Sequence, residues 1–272
     1  MVALKLAIAG AGGRMGQALI EAALAAGDLD IASALDVDDS AFLAHDAGER
    51  FGRTTGVLVG TDIDSAVHAA DVLIDFTRPA GTMAHVAACA KHRRAAVIGT
   101  TGLDAAQQTE LGAYAKVIPI VYSPNMSVGV NVLQELVERA ASALGHAYDI
   151  EIIEMHHKHK VDAPSGTALQ LGKAAAAGRG IDFAPNALFS REGDIGARKP
   201  DTIGFATLRG GDVVGEHTVI FAGTGERIEL THRATSRQNF AAGALRAARF
   251  VAAKRNDGLS GLFDMRNVLG LG

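Results

Sequence analysis

The sequence predicts an α/β fold in two parts: a doubly wound parallel sheet near the N-terminus, and an inserted α+β domain with a mixed or antiparallel sheet. Three observations lead there. Short apolar runs alternate with alanine-rich helical stretches as far as Leu144, the grammar of a parallel sheet. Three β-rich segments then follow one another with only glycine turns between them. The last stretch is helical again, so the chain is expected to return to the first domain. The chain has 272 residues, more than a single core usually fills. The expected domains are 1–127 with 237–272, and 128–236.

The elements follow in order. Leu4–Ala9 is an apolar run closed by glycines, a buried strand. Met15–Ala26 is alanine-rich and helical. Ile31–Leu35 is a second strand. The polar, glycine-rich stretch 36–56 predicts a loop or short helix, Val57–Val59 a short strand and Asp62–Ala69 a short helix. Val72–Phe76 is a strand, and Pro79 stands where a helix begins, with Ala80–His92 behind it. Ala95–Ile98 is a strand stopped by GTTG. Asp104 caps a helix to Ala115, and Val117–Tyr122 is another strand. Ser127–Leu144 is helical, with Val132, Leu136, Val137 and Ala140 assigned to one face. In the second domain Tyr148–Met155 reads as a strand and Thr167–Ala177 as a helix. Thr202–Arg209, Val213–Ala222 and Arg227–Ala234 read as strands joined by the tight turns GGD and GTGE, suggesting antiparallel or mixed pairing. Arg237–Lys254 is the returning helix.

Composition excludes several classes. Hydrophobic residues are 48% and charged residues 21%, which is globular. A net charge of −4 argues against a nucleic-acid or membrane partner, so an anionic ligand must be met by a local basic cluster. The one cysteine, Cys89, lies in an apolar helical pattern and reads as core packing; it forms no internal disulfide, which fits a reducing cytosol. The first residues show no signal-peptide pattern, and no apolar run approaches ~20 residues. A cytoplasmic location is expected.

The segment LAIAGAGGRMGQAL places Gly10, Gly12, Gly13 and Gly16 between the first strand and the first helix. Small residues there let backbone amides approach a diphosphate, and the helix start adds favourable partial charge. The spacing is G-x-x-G-x-x-G, since Met15 holds the third position of the commoner pattern. Asp36 ends the second strand about 20 residues further on, where a carboxylate accepts from ribose hydroxyls. Arg14 lies in the loop, and faces either a 2′-phosphate or solvent. DFTRP (Asp75–Pro79) and GTTG (Gly99–Gly102) end at the same sheet edge. The first domain is therefore expected to be Rossmann-like and to bind NADH or NADPH.

The segment EIIEMHHKHKVDAPSGTAL gathers His156, His157, Lys158, His159 and Lys160 just before a helix start. A metal centre is not expected. Neighbouring histidines in an extended segment face opposite ways, no second ligand set accompanies them, and the lysines repel a cation. A solvated basic turn is the plain alternative. Ser165-Gly166-Thr167 argues against it, because a helix start holds a carboxylate or phosphate. Cationic side chains beside such a start make a pocket for a small dianion. Histidine moves protons near neutral pH, and lysine does so when its neighbours are cationic. Nicotinamide on one domain and proton donors on the other define a reductase. A cofactor-sensing regulator would not need the His/Lys cluster. A semialdehyde dehydrogenase would want a reactive cysteine where Cys89 is not.

This segment resembles the signature of the 4-hydroxy-tetrahydrodipicolinate (dihydrodipicolinate) reductase family. AIAGAGGRMG, IDFTRP, VIGTTG, SPNMSVGVN, REG (Arg191–Gly193), TIGFATLRGGDVVGEHTVIF and GLFDMRNVL resemble family segments in family order, over essentially the whole chain. The resemblance implies a homotetramer of two-domain subunits, whose second domain holds substrate and builds the tetramer. It implies reduction of the cyclic imine (2S,4S)-4-hydroxy-2,3,4,5-tetrahydrodipicolinate by NAD(P)H, with loss of water, in lysine and diaminopimelate biosynthesis, without a metal. It assigns acid/base work to His156 and proton donation to Lys160. Substrate contact falls to His157, and carboxylate binding to Gly166 and Thr167. Cofactor contacts fall to Gly10, Ala11, Gly12, Gly13, Arg14, Met15 and Asp36, then to Gly99, Thr100 and Thr101, and to Ser123, Pro124, Asn125 and Met126. Some members carry a basic residue after the acidic one. Here Val37 stands there, which implies that NADH serves no worse than NADPH.

Overall fold

A computed structural model describes residues 3–271. The chain opens with β1 (Leu4–Ala9), α1 (Arg14–Ala25), β2 (Leu29–Leu35), β3 (Val59–Gly60), α2 (Ile63–Ala69), β4 (Val72–Asp75), α3 (Pro79–His92), β5 (Ala95–Ile98), α4 (Ala105–Tyr114) and β6 (Pro119–Tyr122). It continues with α5 (Val128–Leu144), β7 (Asp149–His156), α6 (Gly166–Arg179), α7 (Phe183–Asn186), β8 (Ala187–Leu188), β9 (Ile203–Arg209), β10 (Gly215–Ala222) and β11 (Arg227–Ala234). It closes with α8 (Gln238–Asn256), β12 (Gly261–Phe263) and α9 (Met265–Leu269). Two compact units result. One runs to Val128 and resumes at Arg237; the other is Gly129–Ser236.

The first unit holds a seven-stranded sheet in the order β12-β6-β5-β4-β1-β2-β3. Every pairing in it is parallel. The sheet is covered on both faces, which is why its strands are apolar throughout rather than alternating. Leu6, Ile8, Ile74, Val97 and Val121 pack with residues of α1 and α8. Ala7, Leu73, Ala96, Ile98 and Ile120 pack with residues of α2, α3 and α4. Local signals set the helix starts. Asp62 caps α2, Pro79 opens α3, and Asp104 forms a reciprocal capping box with Gln107 at α4. Strand order reverses between β1 and β4, and in such sheets ligands bind beyond the carboxyl ends at that point. Cys89 is fully buried and burial pushes its thiol pKa up, as core packing predicts. The stretch 36–56 is turns and a short 3-10 helix at Glu49–Phe51. Its organiser is Asp46, whose carboxylate accepts from Thr55, Gly48 and Gly56 and is lowered to about 2 by those bonds.

The second unit holds a five-stranded mixed sheet in the order β11-β10-β7-β9-β8. β10 runs antiparallel to β11 and β7, while β9 runs parallel to β7 and β8. One face carries Ile150, Ile152, Phe205, Val219 and Phe221 against residues of α5 and α6. β7 accordingly alternates between buried and more exposed residues, with Ile152 and Glu154 inward and Ile153 outward. The outward face exposes Ile153 and Leu208.

Several expectations are corrected. GGD joins no hairpin, because β7 lies between β9 and β10 and the chain must pass around its end. Backbone bonds mark that passage: Gly210 donates to the His156 carbonyl and His157 to that of Val213. On α5 the buried stripe is Leu133, Val137 and Ala141, whereas Val132 and Leu136 are exposed. The helix carries two apolar stripes, and spacing alone does not choose between them. The strand expected at Val57–Val59 is Val59–Gly60, since Val57 spends its amide on a side chain and its carbonyl on Ala47. The sequence reading also passed over β8, β12, α7 and α9, all shorter than the patterns that periodicity detects. Among the described residues no helix is long and apolar enough to cross a membrane.

Candidate functional site

The glycine loop sits on the carboxyl end of β1. Gly10 has φ +71°, a left-handed conformation that favours glycine. A Cβ on Gly16 would lie 2.1 Å from the Gly10 carbonyl oxygen, so glycine lets α1 start directly against the loop. The amides of the loop are partly claimed by its own folding. Ala11 donates to the Leu35 carbonyl, Gly12 to Asp36 Oδ2 at 2.8 Å, and Gly13 to the Gly10 carbonyl. Gly13 caps α1 with no side-chain bond, which leaves the first helical amides, from Arg14 onward, to water or ligand. Arg14 is thus the first residue of α1 and is exposed, rather than lying within the loop. Met15 follows, half-buried. Asp36 also accepts from Ser40 Oγ and the Val37 amide, and its Oδ1 keeps acceptor capacity.

Two other expected contact segments reach the same sheet edge, with a difference. Thr100 is 2% exposed and its hydroxyl turns inward, accepting from Thr82 at 2.8 Å and donating to Asp75 at 3.3 Å. Met126 is fully buried in the core. Only backbone at these two positions is left for a ligand, whereas Thr101 and Pro124 are exposed. Gly99 accommodates Phe76, whose ring would lie 2.1 Å from a Cβ. Ser123 Oγ donates to the Asn125 carbonyl, and Asn125 Oδ1 accepts from the Ser127 amide, bracing that turn. Asp75 is fully buried. Burial raises its pKa, but bonds from His85 at 2.8 Å and from Thr77 outweigh this and hold it low.

In the second unit the His/Lys segment begins on the last residue of β7. His156 is buried, with Nδ1 2.6 Å from Glu154 Oε2. Burial lowers its pKa, Glu154 opposes that, and the nearby Lys160 and Arg209 charges add to the lowering. The backbone then turns: Lys160 donates its amide to the His157 carbonyl, and its ammonium pairs with Asp162 at 2.8 Å. Lys158 and His159 are exposed. His157 is half-buried, and its Nδ1 is buried without a hydrogen-bond partner. α6 starts at Gly166. Ser165 Oγ accepts from the Ala168 amide, so the cap serves the third helical residue and leaves Gly166 and Thr167 at the tip. His156, Lys160 and this tip therefore share one corner of the unit, tied together through Glu154 and Ser165.

Sequence reasoning missed four residues of that corner. Glu154 is 1% exposed and accepts two bonds from Arg209, each 2.8 Å, besides those from His156 and the Ser165 amide. Arg209 also donates to the Asp162 carbonyl. His217 bonds Ser165 Oγ through Nε2 at 2.9 Å, and its ring meets that of His156 edge-on with centroids 5.1 Å apart. Burial, then the His156 charge, lower the His217 pKa to about 3. Ser165 was read as part of the helix start, but not as the cap that joins it to Glu154 and His217. Arg209 and His217 lie in TLRGGDVVGEHT, and no local signal there ties them to the His/Lys segment. Among the described residues no group of His, Cys, Asp and Glu could hold a metal ion.

Known proteins share this architecture. The N-terminal model of dihydrodipicolinate reductase matches residues 4–126 and its C-terminal model residues 129–269. The 4-hydroxy-tetrahydrodipicolinate reductase of Burkholderia ambifaria is 56% identical over 268 residues, covering 98% of this chain and all of that one. The one from Nitrosomonas eutropha is 53% identical over 271 residues, covering both chains fully. Among solved structures, the dipicolinate-bound dihydrodipicolinate reductase from Paenisporosarcina sp. TG-14 is similar with a TM-score of 0.76 and 27% identity, covering 97% of this chain and 98% of that one. With both halves matched and full-length relatives above half identity, the chain belongs to the dihydrodipicolinate reductase family.

Proposed function

We propose that the protein reduces (2S,4S)-4-hydroxy-2,3,4,5-tetrahydrodipicolinate to tetrahydrodipicolinate with NAD(P)H and loss of water, in lysine and diaminopimelate biosynthesis. The observation that carries this reading is the buried His156 ring, held beside Lys160 and the tip of α6, in a chain of this family.

The first unit suits a dinucleotide. Its helix tip has a glycine cap and uncapped amides, and Asp36 keeps acceptor capacity beside it. Gly10, Ala11, Gly12, Gly13, Arg14 and Met15 would hold the phosphates, and Asp36 the ribose hydroxyls. The segments Gly99–Thr101 and Ser123–Met126 would serve the nicotinamide side, through backbone at Thr100 and Met126. Bound there in reduced form, the cofactor supplies a hydride to the ring.

The second unit handles charge and proton. The substrate carries two carboxylates, and burying them needs donors of opposite charge. Gly166 and Thr167 at the helix tip take one carboxylate, and the half-buried His157 contacts the ring. His156 or Lys160 delivers the proton to the carbon next to the site of hydride addition. A lowered His156 pKa makes its charged form the stronger acid.

The cofactor form follows from Asp36 and Val37. Val37 is 64% exposed and offers nothing to a 2′-phosphate, while Asp36 repels one. Both cofactors are expected to work, NADH no worse than NADPH. The homotetramer belongs to this proposal too, supported by the uncovered sheet face at Ile153 and Leu208. So does a cytoplasmic site of action, supported by the single buried thiol.

The test is oxidation of NADH and NADPH by the purified protein, with the imine generated in situ by the synthase that precedes it. Substrate-dependent turnover with comparable kcat/KM for the two is expected. No turnover overturns the function; roughly a hundredfold NADPH preference, ~2.7 kcal/mol, overturns the cofactor reading.

A further inference from the structure

We infer that Glu154 is a positioning residue for the reaction: it holds the His156 ring as the Nδ1–H tautomer, presents Nε2 for proton transfer, and locks that ring to the tip of α6. The inference rests on the reading of His156 as the acid/base group.

A neutral imidazole has one donor and one acceptor nitrogen, and its partner decides which is which. Glu154 lies 2.6 Å from Nδ1. It is buried, yet its pKa is held low, because bonds from Arg209, His156 and the Ser165 amide outweigh the burial. An ionised carboxylate only accepts, so Nδ1 must donate. Nε2 then carries the lone pair of the neutral ring, and the transferable proton of the charged one.

The surroundings keep Nε2 clear. A Cβ at position 215 would stand 2.9 Å from it, and Gly215 supplies none. The nearest other ring, His217, spends its Nε2 on Ser165 Oγ and does not compete. The second Glu154 oxygen accepts the Ser165 amide at 3.0 Å, and Ser165 is the cap of α6. One carboxylate thus sets the orientation of the proton-transfer ring and the position of the carboxylate-binding helix tip together. Arg209 holds Glu154 through a two-pronged bond and reaches the Asp162 carbonyl, steadying the turn that carries Lys160. The charged and titratable groups that face His156 are Glu154 on β7, Lys160 on the turn after it, Arg209 on β9 and His217 on β10.

A purely structural role is the rival: Glu154 would merely pair with Arg209. Both accounts predict a melting-temperature loss in E154Q, so the readouts must be others. The full-length chain with ¹⁵N-labelled histidine reports the His156 tautomer by NMR, assigned by comparison with H156A. The pH profile of kcat is measured for wild type, E154Q and H156A. The expected wild-type tautomer at high pH is Nδ1–H with Nε2 unprotonated. E154Q is expected to lower kcat by about 10- to 1,000-fold, with KM for the imine within about threefold. The histidine limb of its profile should move to lower pH, because losing the carboxylate charge destabilises the imidazolium. A wild-type Nε2–H tautomer overturns the inference. So does folded E154Q with an unmoved limb and kcat within about twofold of wild type. If E154Q fails to fold, the wild-type tautomer alone decides. Full turnover by H156A would instead remove the reading of His156 itself, whereas an inactive H156A beside an unaffected E154Q sinks only the role of Glu154.

Discussion

The two helix tips that the proposed function reads as anion sites are built by opposite means. The tip of α1 is made of backbone: a glycine cap, no side-chain bond, and a crossover so tight that a Cβ at Gly16 would meet the Gly10 carbonyl at 2.1 Å. The tip of α6 is made of side chains: Ser165 caps it, and Glu154, Arg209, His156 and His217 surround that cap. The difference teaches what each tip is suited to. Amides hold a phosphate at any pH and transfer no proton. Titratable groups hold charge conditionally, and so take part in chemistry as well as binding. The first tip is therefore vulnerable to added volume, the second to altered charge.

The largest expected effect lies at the second tip. His156→Ala and Lys160→Ala should each lower kcat by about 100- to 10,000-fold, the usual worth of a placed proton donor, and leave imine binding comparatively intact. His157→Ala and Thr167→Ala should chiefly raise KM. Steady-state kinetics separate the pairs. Equal kcat losses in all four would erase the distinction between proton transfer and binding at this corner.

A middle-sized effect lies at the first tip. Gly16→Ala puts a methyl group against backbone, which cannot give way as a side chain can. A loss of about 1–3 kcal/mol in chemical denaturation is expected, together with a higher KM for the cofactor and an unmoved pH profile. A shifted pH optimum in this variant would break the comparison, since that tip is built of backbone amides, which do not titrate.

The smallest effect concerns stability against pH. His217 has a folded pKa of about 3 against an ordinary 6.5, so below 6.5 the unfolded chain binds a proton that the folded chain refuses. Stability should be intact above that value and fall as pH drops from 6.5 towards 3. His156, also lowered, adds to the fall in its upper part. His217→Phe should flatten the slope of unfolding free energy between about pH 6.5 and pH 5, where carboxylates are largely ionised in both states. An unchanged slope would show that the charge-sensitive character of this corner does not extend to its second histidine.

Much of both tips was legible in the sequence. Gly10, Gly13 and Gly16 announce the first, because glycine between an apolar strand and a helix has few other reasons to recur. The second was legible at His156, Lys160 and Gly166, which lie within one short segment. Glu154 was visible in that same segment and was passed over as a strand residue, since alternation along β7 says which face a residue takes and not what it meets there. Arg209 and His217 were illegible for a stronger reason. They reach the corner only because β7 inserts between β9 and β10, placing His156 opposite Arg209 in one ladder and Met155 opposite Glu216 in the other. The GGD turn suggested that its flanking strands are neighbours, and pairing over long sequence separation placed β7 between them. On α5 two apolar stripes competed, and the sheet took Leu133 and Val137.

By itself, then, the sequence determined the alternation of strands and helices, the starts of α2, α3 and α4, the glycine crossover, and the crowding of His156 and Lys160 beside a helix tip. All of these depend on interactions within a few residues, where propensity, capping and backbone sterics act directly. The tertiary structure alone decided the strand order of the second sheet, the inward turn of Thr100, and the assembly of Glu154, Arg209, Ser165 and His217 behind His156. Those arrangements join residues far apart in the chain. A buried carboxylate takes whichever donors the sheet brings to it, and no local pattern names them in advance.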